Sequence, residues 1–270
     1  MREVSTTSSP EGEDGAERPR EFIQSLERGL GIIRTFGPEA PEQTVSEIAA
    51  ATGLTRATTR RFLITLMRLG YLESDGRVFR LTPRVLELGY SFLSGLRFPD
   101  IALPHLERLV AEVDESSEAS VLDGEEVAYV ARVASSAVMT ISVNVGARMP
   151  AHATAMGKVL LACLPEAELD AYFERATLRS FQPRTVTDEA ELRAQLAEVR
   201  ANGYALADQE LEEGLLAVAA PVRGRNGDVV GAINLSTHVM RRSLDSVRDD
   251  LVGPLLRTAA LIEGDLASVA

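Results

Sequence analysis

Arginine carries the most suggestive chemistry in this sequence. In TVSEIAAATGLTRATTRRFLITLMRLGYL, residues 44–72, Arg56, Arg60, Arg61 and Arg68 follow a glycine, Gly53. A helix projected at 100° per residue from Thr55 to Leu69 sorts the side chains into two sets. Thr59, Phe62, Leu63, Leu66 and Leu69 fall on one side, and Arg56, Ala57, Arg60, Arg61, Ile64 and Arg68 on the other. A helix lying in the major groove of DNA needs that division, because guanidinium groups reach phosphates or guanine edges while a small side chain permits approach. Ala49, Gly53 and the apolar Ile48, Leu54 and Phe62 supply the small residue, turn and supports of a helix-turn-helix. Thr59 stands where many such motifs carry Val or Ile. The candidate contacts are Thr55, Arg56, Ala57, Thr58, Arg60 and Arg61, with Arg77 and Arg80 reaching phosphates from a wing and Arg84 following. A solvated arginine face, or one that meets protein, is the plainer reading of the same residues.

A second stretch could bind an anion. RMPAHATAMGKVLLA, residues 148–162, sets Ala151, Ala153, Thr154 and Ala155 just before a helix, whose free N–H groups suit a carboxylate. His152, Thr154 and Lys158 could add donors. The same small residues would also serve tight helix–sheet packing, and both readings stay open. Asp208, Glu210, Glu212 and Glu213 crowd one stretch, as paired catalytic carboxylates or as a solvated acidic loop. Other catalytic signals are weak. His105, His152 and His238 have no metal-ligand spacing with each other or with Cys163, and no P-loop or G-x-S-x-G motif is present. Cys163 sits in the apolar run KVLLACL. No catalytic residue, metal or cofactor is expected.

These side chains need elements to hold them. Apolar spacing predicts helices over 22–36, 44–52 and 55–69, then a hairpin over 71–81 turning at Asp75-Gly76 in two residues. A helix over 82–93 follows, with Thr82 as N-cap and Pro83 in the first helical position. Beyond Pro99 we expect a helix at 100–113 and strands in SEASVLDG, EEVAYVARV and MTISVNVG. Helices follow at 154–163, 166–174 and 188–202, and strands in YALAD, LLAVAAPVRG and VVGAINLST, with Asn226-Gly227 turning the last pair. A final helix covers 243–265. Hairpin-grouped strands with helices between the groups indicate an α+β class with a largely antiparallel sheet. The expected divisions are a disordered tail over 1–19, a winged helix-turn-helix DNA-binding domain over 20–82, a linker helix over 83–99 and an effector-binding domain over 100–270.

The chain has 270 residues and a net charge of −12, which alone disfavours a polyanion partner. The average conceals a division. Residues 56–84 hold seven arginines against two acids, a local +5, so the remainder carries −17. The one cysteine excludes a disulfide framework, and no apolar run approaches a membrane span. The polar, acidic N-terminus is unlike a signal peptide, so a cytoplasmic protein without a membrane partner is expected. Lys158 is the only lysine beside 27 arginines, a bias that codon usage explains.

Together, FIQSLERGLGIIRTF, the helix-turn-helix segment, ATAMGKVLLA, GYALADQELEEGLLAVAAPV and GAINLSTHVMRRS resemble the IclR family of bacterial transcription regulators over residues 20–266. The details are most similar to its PcaR/PobR-like branch, which regulates protocatechuate and β-ketoadipate catabolism. The resemblance implies a winged helix, a linker helix and a GAF-like effector domain. It also implies double-stranded operator DNA, a small aromatic or dicarboxylic acid effector, and a homodimer, in some members a dimer of dimers. The family's pocket maps onto Ala155, Met156, Asp208, Ala217, Asn234 and Ser236. Position 217 is commonly Cys or Ser in the family, and Leu216 stands where the branch often has Arg. A polar contact and a charge are therefore missing from the expected pocket edge. Two other readings stay open: a second domain that only oligomerises, and an enzyme fused to a winged helix with Asp208 or Glu210 as acid/base.

Overall fold

The structure, a computed structural model, describes residues 21–93, 95–135 and 144–268. The chain divides into two compact units, the first ending at Ser91 and the second beginning at Phe92. The expected tail, residues 1–19, lies outside the described residues, as does most of MTISVNVG.

In the first unit, α1 (Gln24–Arg34), α2 (Val45–Thr52) and α3 (Arg56–Arg68) pack around Ile32, Ile48, Leu63, Leu66 and Leu72. A reciprocal box starts α2: the Thr44 hydroxyl accepts from the Glu47 amide, and the Glu47 carboxylate accepts from the Thr44 amide at 2.7 Å. The bonds that the carboxylate accepts, first from the Thr44 amide and then from the Thr44 hydroxyl, hold the Glu47 carboxyl below its ordinary pKa. Gly53 ends α2 at φ +66, which glycine adopts without steric cost. Three short strands form a sheet in the order β1-β3-β2: β1 (Glu42–Gln43), β2 (Leu72–Ser74) and β3 (Phe79–Leu81). Sequence reasoning missed β1, a two-residue strand too short for any periodicity. The turn after β2 is longer than expected. Ser74 pairs with Phe79, leaving four residues between the strands. The Asp75 carboxylate accepts from the amides of Arg77 and Val78 and so organises the wider loop. A 3-10 turn, Pro83–Val85, precedes α4 (Leu86–Leu93), because Thr82 caps the Arg84 amide within two residues.

The second unit is a six-stranded antiparallel sheet ordered β6-β5-β4-β9-β8-β7. Its strands are β4 (Ser117–Asp123), β5 (Glu126–Val133), β6 (Arg148–Pro150), β7 (Ala205–Asp208), β8 (Leu215–Arg223) and β9 (Val229–His238). One face carries α6 (Ala155–Ala162), α7 (Glu166–Arg175) and α8 (Glu189–Asn202). The other carries α5 (Arg97–Val113) and the C-terminal helices α9 (Leu244–Ser246) and α10 (Val252–Ser268), joined by the π-helical turn Val247–Leu251. Covered on both faces, β8 reads as a continuous apolar run. Its small Ala217 and Ala219 face α6, while Leu216, Val218, Ala220 and Val222 face α5 and α10. The β8–β9 connection has five residues where the expected strands leave four around Asn226-Gly227, because Arg223 pairs with Val229 across a register shift. The short β6 was not anticipated.

Close approach explains Gly157 on α6. A Cβ there would stand 2.1 Å from the Ala151 carbonyl oxygen, on backbone that cannot move aside. Gly157→Ala is expected to destabilise the second unit by about 1–3 kcal/mol or more, read as a lowered denaturation midpoint. An unchanged midpoint would contradict the packing.

Candidate functional site

Helix α3 presents two chemically distinct sides. Thr59, Leu63 and Leu66 are buried, and the Thr59 hydroxyl donates to the Thr55 carbonyl at 3.1 Å, which satisfies the polar group at this position. Thr55 caps the helix by accepting from the Thr58 amide, and the two hydroxyls lie 2.9 Å apart. Arg56, Ala57, Arg60, Arg61, Ile64 and Arg68 are exposed. Leu69 departs from the projection: it is the C-cap and is 51% exposed.

The arginines differ in their commitments. Among the described residues Arg56, Arg60, Arg61, Arg68 and Arg77 form no ion pair. Arg80 lies between Glu42 and Glu73, at 3.3 and 3.5 Å, because those residues flank it on β1 and β2. Arg84 reaches Glu87 at 3.3 Å and lies over the Tyr71 ring. The uncommitted guanidinium groups therefore occupy the exposed side of α3 and the tip of the β2–β3 loop.

The second unit contains a cavity between the start of α6 and the sheet. Its floor is Glu118 and Tyr129 with Ala217, Asn234 and Ser236. Ala153, Thr154, Ala155 and Met156 edge it from α6, and Ala207, Glu210, Leu211 and Leu215 complete the wall. The space open to water centres is ≈ 40 Å³, room for a few waters by the roughly 10–15 Å³ that each requires. At the α6 end the Thr154 hydroxyl accepts from the Gly157 amide at 3.1 Å, leaving the earlier amides of Ala155 and Met156 as first-turn donors. The cavity gathers Thr154, Ala155, Met156, Ala217, Asn234 and Ser236. It omits His152 and Lys158, read from the sequence as donors to an anion, and Asp208, which the family resemblance places in the pocket. The His152 ring meets the Arg179 carbonyl at 3.0 Å and the Phe181 ring. Asp208 pairs with Arg184. Lys158 is buried and donates to Glu210 at 2.6 Å and to Gln195 at 2.8 Å, so its charge is already matched. Thr185 in turn donates to the Glu210 carbonyl.

Sequence reasoning missed Glu118 and Tyr129. Glu118 is buried at 5% exposure on β4. Ser236 donates to its carboxylate at 3.3 Å, Arg132 Nε lies at 3.8 Å, and its amide donates to the Asn234 side-chain oxygen at 2.7 Å. Burial dominates and pushes the Glu118 carboxyl above its ordinary pKa, against the opposing effects of Asn234, Arg132 and Ser236. Burial, then Glu118, raises the Tyr129 phenol. The one available signal was the pairing of Glu118 with Ser120 on the strand face toward α6, where Ser120 donates to the Met156 sulfur at 3.2 Å.

The sign of the Glu118 shift gives a prediction. An acid with a raised folded pKa binds more protons folded than unfolded, so stability falls as pH climbs above the unfolded value, about 4.3. Glu118→Gln is therefore expected to melt higher than the parent at pH 7–8, with the difference closing near pH 4. Parallel melting curves across that range would contradict it.

Among the described residues no group of three or more His, Cys, Asp or Glu could hold a metal, and no helix is long and apolar enough to cross a membrane. The pattern of the IclR helix-turn-helix domain matches residues 25–76, and that of the bacterial transcriptional regulator IclR C-terminal domain matches 91–263. The Pca regulon regulatory protein of Pseudomonas putida is 39% identical over 222 residues, 82% of this chain and 76% of that protein. A crystal structure of a transcriptional regulator from Rhodococcus sp. RHA1 is 51% identical, with TM-score 0.81 over 92% of this chain and 100% of that one. An IclR homologue from Microbacterium hydrocarbonoxydans, solved with 4-hydroxybenzoate, is 29% identical, with TM-score 0.77 over 90% and 99% of the two chains. The helix-turn-helix unit, the antiparallel α+β unit and these likenesses agree: the chain belongs to the IclR family of bacterial transcriptional regulators.

Proposed function

We propose that this regulator binds operator DNA through α3 and answers to a small organic acid in the cavity beside α6, controlling genes of aromatic-acid catabolism of the protocatechuate type. The observation that carries the DNA reading is the set of uncommitted arginines on α3 and the wing, opposite a buried apolar face. Thr55, Arg56, Ala57, Thr58, Arg60 and Arg61 meet the major groove, and Arg77 meets a phosphate. Arg80 contributes less than its position suggests, because two carboxylates already engage it. The cavity's position at the first turn of α6 supports a carboxylate ligand, held by the Ala155 and Met156 amides. The Pca regulon regulator and the 4-hydroxybenzoate complex among its relatives support the aromatic class. Residues 20–82 act as the DNA-binding domain, 83–99 as linker and 100–270 as effector domain, in the cytoplasm.

The protein works by binding and not by turnover. Asp208 and Glu210, the two alternative acid/base candidates, are each held by a cation. Exposed Ile23, Leu26 and Leu30 recur along one side of the first helix and its approach. A second copy burying that stripe would place two headpieces on one operator as a homodimer. An effector then acts by binding one arrangement of the paired headpieces more tightly than another.

A gel shift with the Arg60→Ala chain at fixed salt tests the DNA assignment. Operator affinity equal to the parent's would overturn it. The narrowness of the cavity favours one other reading, a second unit that only oligomerises. A thermal-shift screen with aromatic and dicarboxylic acids separates the two, since a ligand bound only by the folded state raises the melting temperature.

A further inference from the structure

The charges around the cavity are arranged unevenly. Neither Lys nor Arg lines it, although two carboxylates do. Glu210 is answered by Lys158, which leaves that pair close to neutral as seen from the cavity. Glu118 has Arg132 nearby and accepts from Ser236. An ionised carboxylate has about four acceptor positions, so those partners leave it capacity toward the cavity. The first turn of α6, with the Ala155 and Met156 amides, borders the space and carries the positive end of the helix dipole. The other walls are apolar, chiefly alanine and leucine. The cavity thus combines helix-terminal amides that suit an anion, apolar walls, and a buried carboxylate that accepts hydrogen bonds.

We propose that Glu118 sets the ligand specificity of this cavity by accepting a hydrogen bond from a hydroxyl on the ligand, so that the cavity takes a hydroxylated aromatic monoacid and rejects dicarboxylic acids. The proposal rests on the reading of the cavity as the effector site. An unsubstituted aromatic acid desolvates the acceptor positions of the Glu118 carboxylate that Ser236 does not fill and offers them no donor, which costs binding. A second carboxylate meets Glu118 directly, and two carboxylates sharing a site cannot both ionise. Such a ligand enters only with an added proton.

The test is calorimetric titration of the full chain at pH 8 with benzoate, 3-hydroxybenzoate, 4-hydroxybenzoate, terephthalate and adipate. One hydroxybenzoate is expected to bind about 10- to 100-fold tighter than benzoate, the range for a hydrogen bond to a charged group, with both dicarboxylates weaker still. In Glu118→Gln, which keeps the shape but not the charge, the hydroxyl preference shrinks and terephthalate gains relative to the hydroxybenzoate. Parent protein that binds terephthalate or adipate as tightly as a hydroxybenzoate overturns the assignment. So do ratios unchanged by Glu118→Gln, or benzoate equal to both hydroxybenzoates. In these cases the effector reading stands and only the role of Glu118 falls. Binding of none of the five acids overturns both.

Discussion

Lys158→Met is expected to lower the stability of the second unit by about 3–5 kcal/mol, the usual cost of removing one partner of a buried ion pair. For a unit of this size that is a fall in melting temperature of roughly 6–20 °C. The reason is geometric. Both side chains are nearly inaccessible, at 3% and 8% exposure, and the ammonium lies 2.6 Å from the carboxylate. Without Lys158, Glu210 faces the protein interior as an unpaired charge, and Gln195 also loses its donor. The double replacement Lys158→Met with Glu210→Leu is expected to recover most of the loss, because apolar groups of similar volume can replace a buried pair without penalty. A single variant as stable as the parent would show that the charge is already solvated. A double variant no better than the single would show that the pair's value is packing alone.

The second large effect concerns DNA. If Arg60 makes a bidentate contact to a base edge, Arg60→Ala costs about 1–3 kcal/mol for each headpiece engaged, and two headpieces on a palindrome multiply the loss. Operator affinity should then fall by about tenfold at the least, with discrimination against non-operator DNA falling too. Arg77→Ala should instead weaken all sequences alike and reduce the salt dependence by about one counterion. Arg80→Ala is the internal contrast. Its guanidinium is shared between Glu42 and Glu73, so its removal is expected to change affinity least. Equal effects at all three positions would mean that α3 is not the reading element.

The periodic parts of this fold were legible from the residues. Leu63 and Leu66 recur on one side of α3 because a helix repeats every 3.6 residues, and they are buried as projected. The strands of the second unit, apart from β6 and the largely undescribed MTISVNVG, were marked by apolar runs between turn signals. Tight turns were less legible. Asp75-Gly76 predicts a two-residue loop, yet side-chain acceptance by Asp75 accompanies one of four, and a register shift at Arg223 leaves five residues around Asn226-Gly227 where four are expected. Pairings distant in sequence were not legible at all. Lys158 looked like a free donor beside an anion site, and nothing local shows that Glu210 lies 2.6 Å away. Glu118 read as one polar residue in a strand, since its neighbours Asn234 and Ser236 arrive on a strand more than a hundred positions later. The small-residue stretch before α6 had two competing readings, and close packing is the one visible in the contacts. Ala151 is pressed against Gly157, while Ala153, Thr154 and Ala155 border the cavity.

The adjacency of β4 and β9 has a consequence for how the chain comes into being. The middle of the six-stranded sheet joins Ala119 to Ile233, so its central seam closes only after nearly the whole chain is available. The headpiece is different, since its helices and hairpin bring together residues close in sequence. Loop closure makes distant pairing slow, and local contacts form early. During synthesis, therefore, the arginine-bearing headpiece can fold while the second unit is still an open set of strands. The order of synthesis places the DNA-facing part first and the part that listens for a ligand last. A chain that stops short of β9 would keep the first and lose the second.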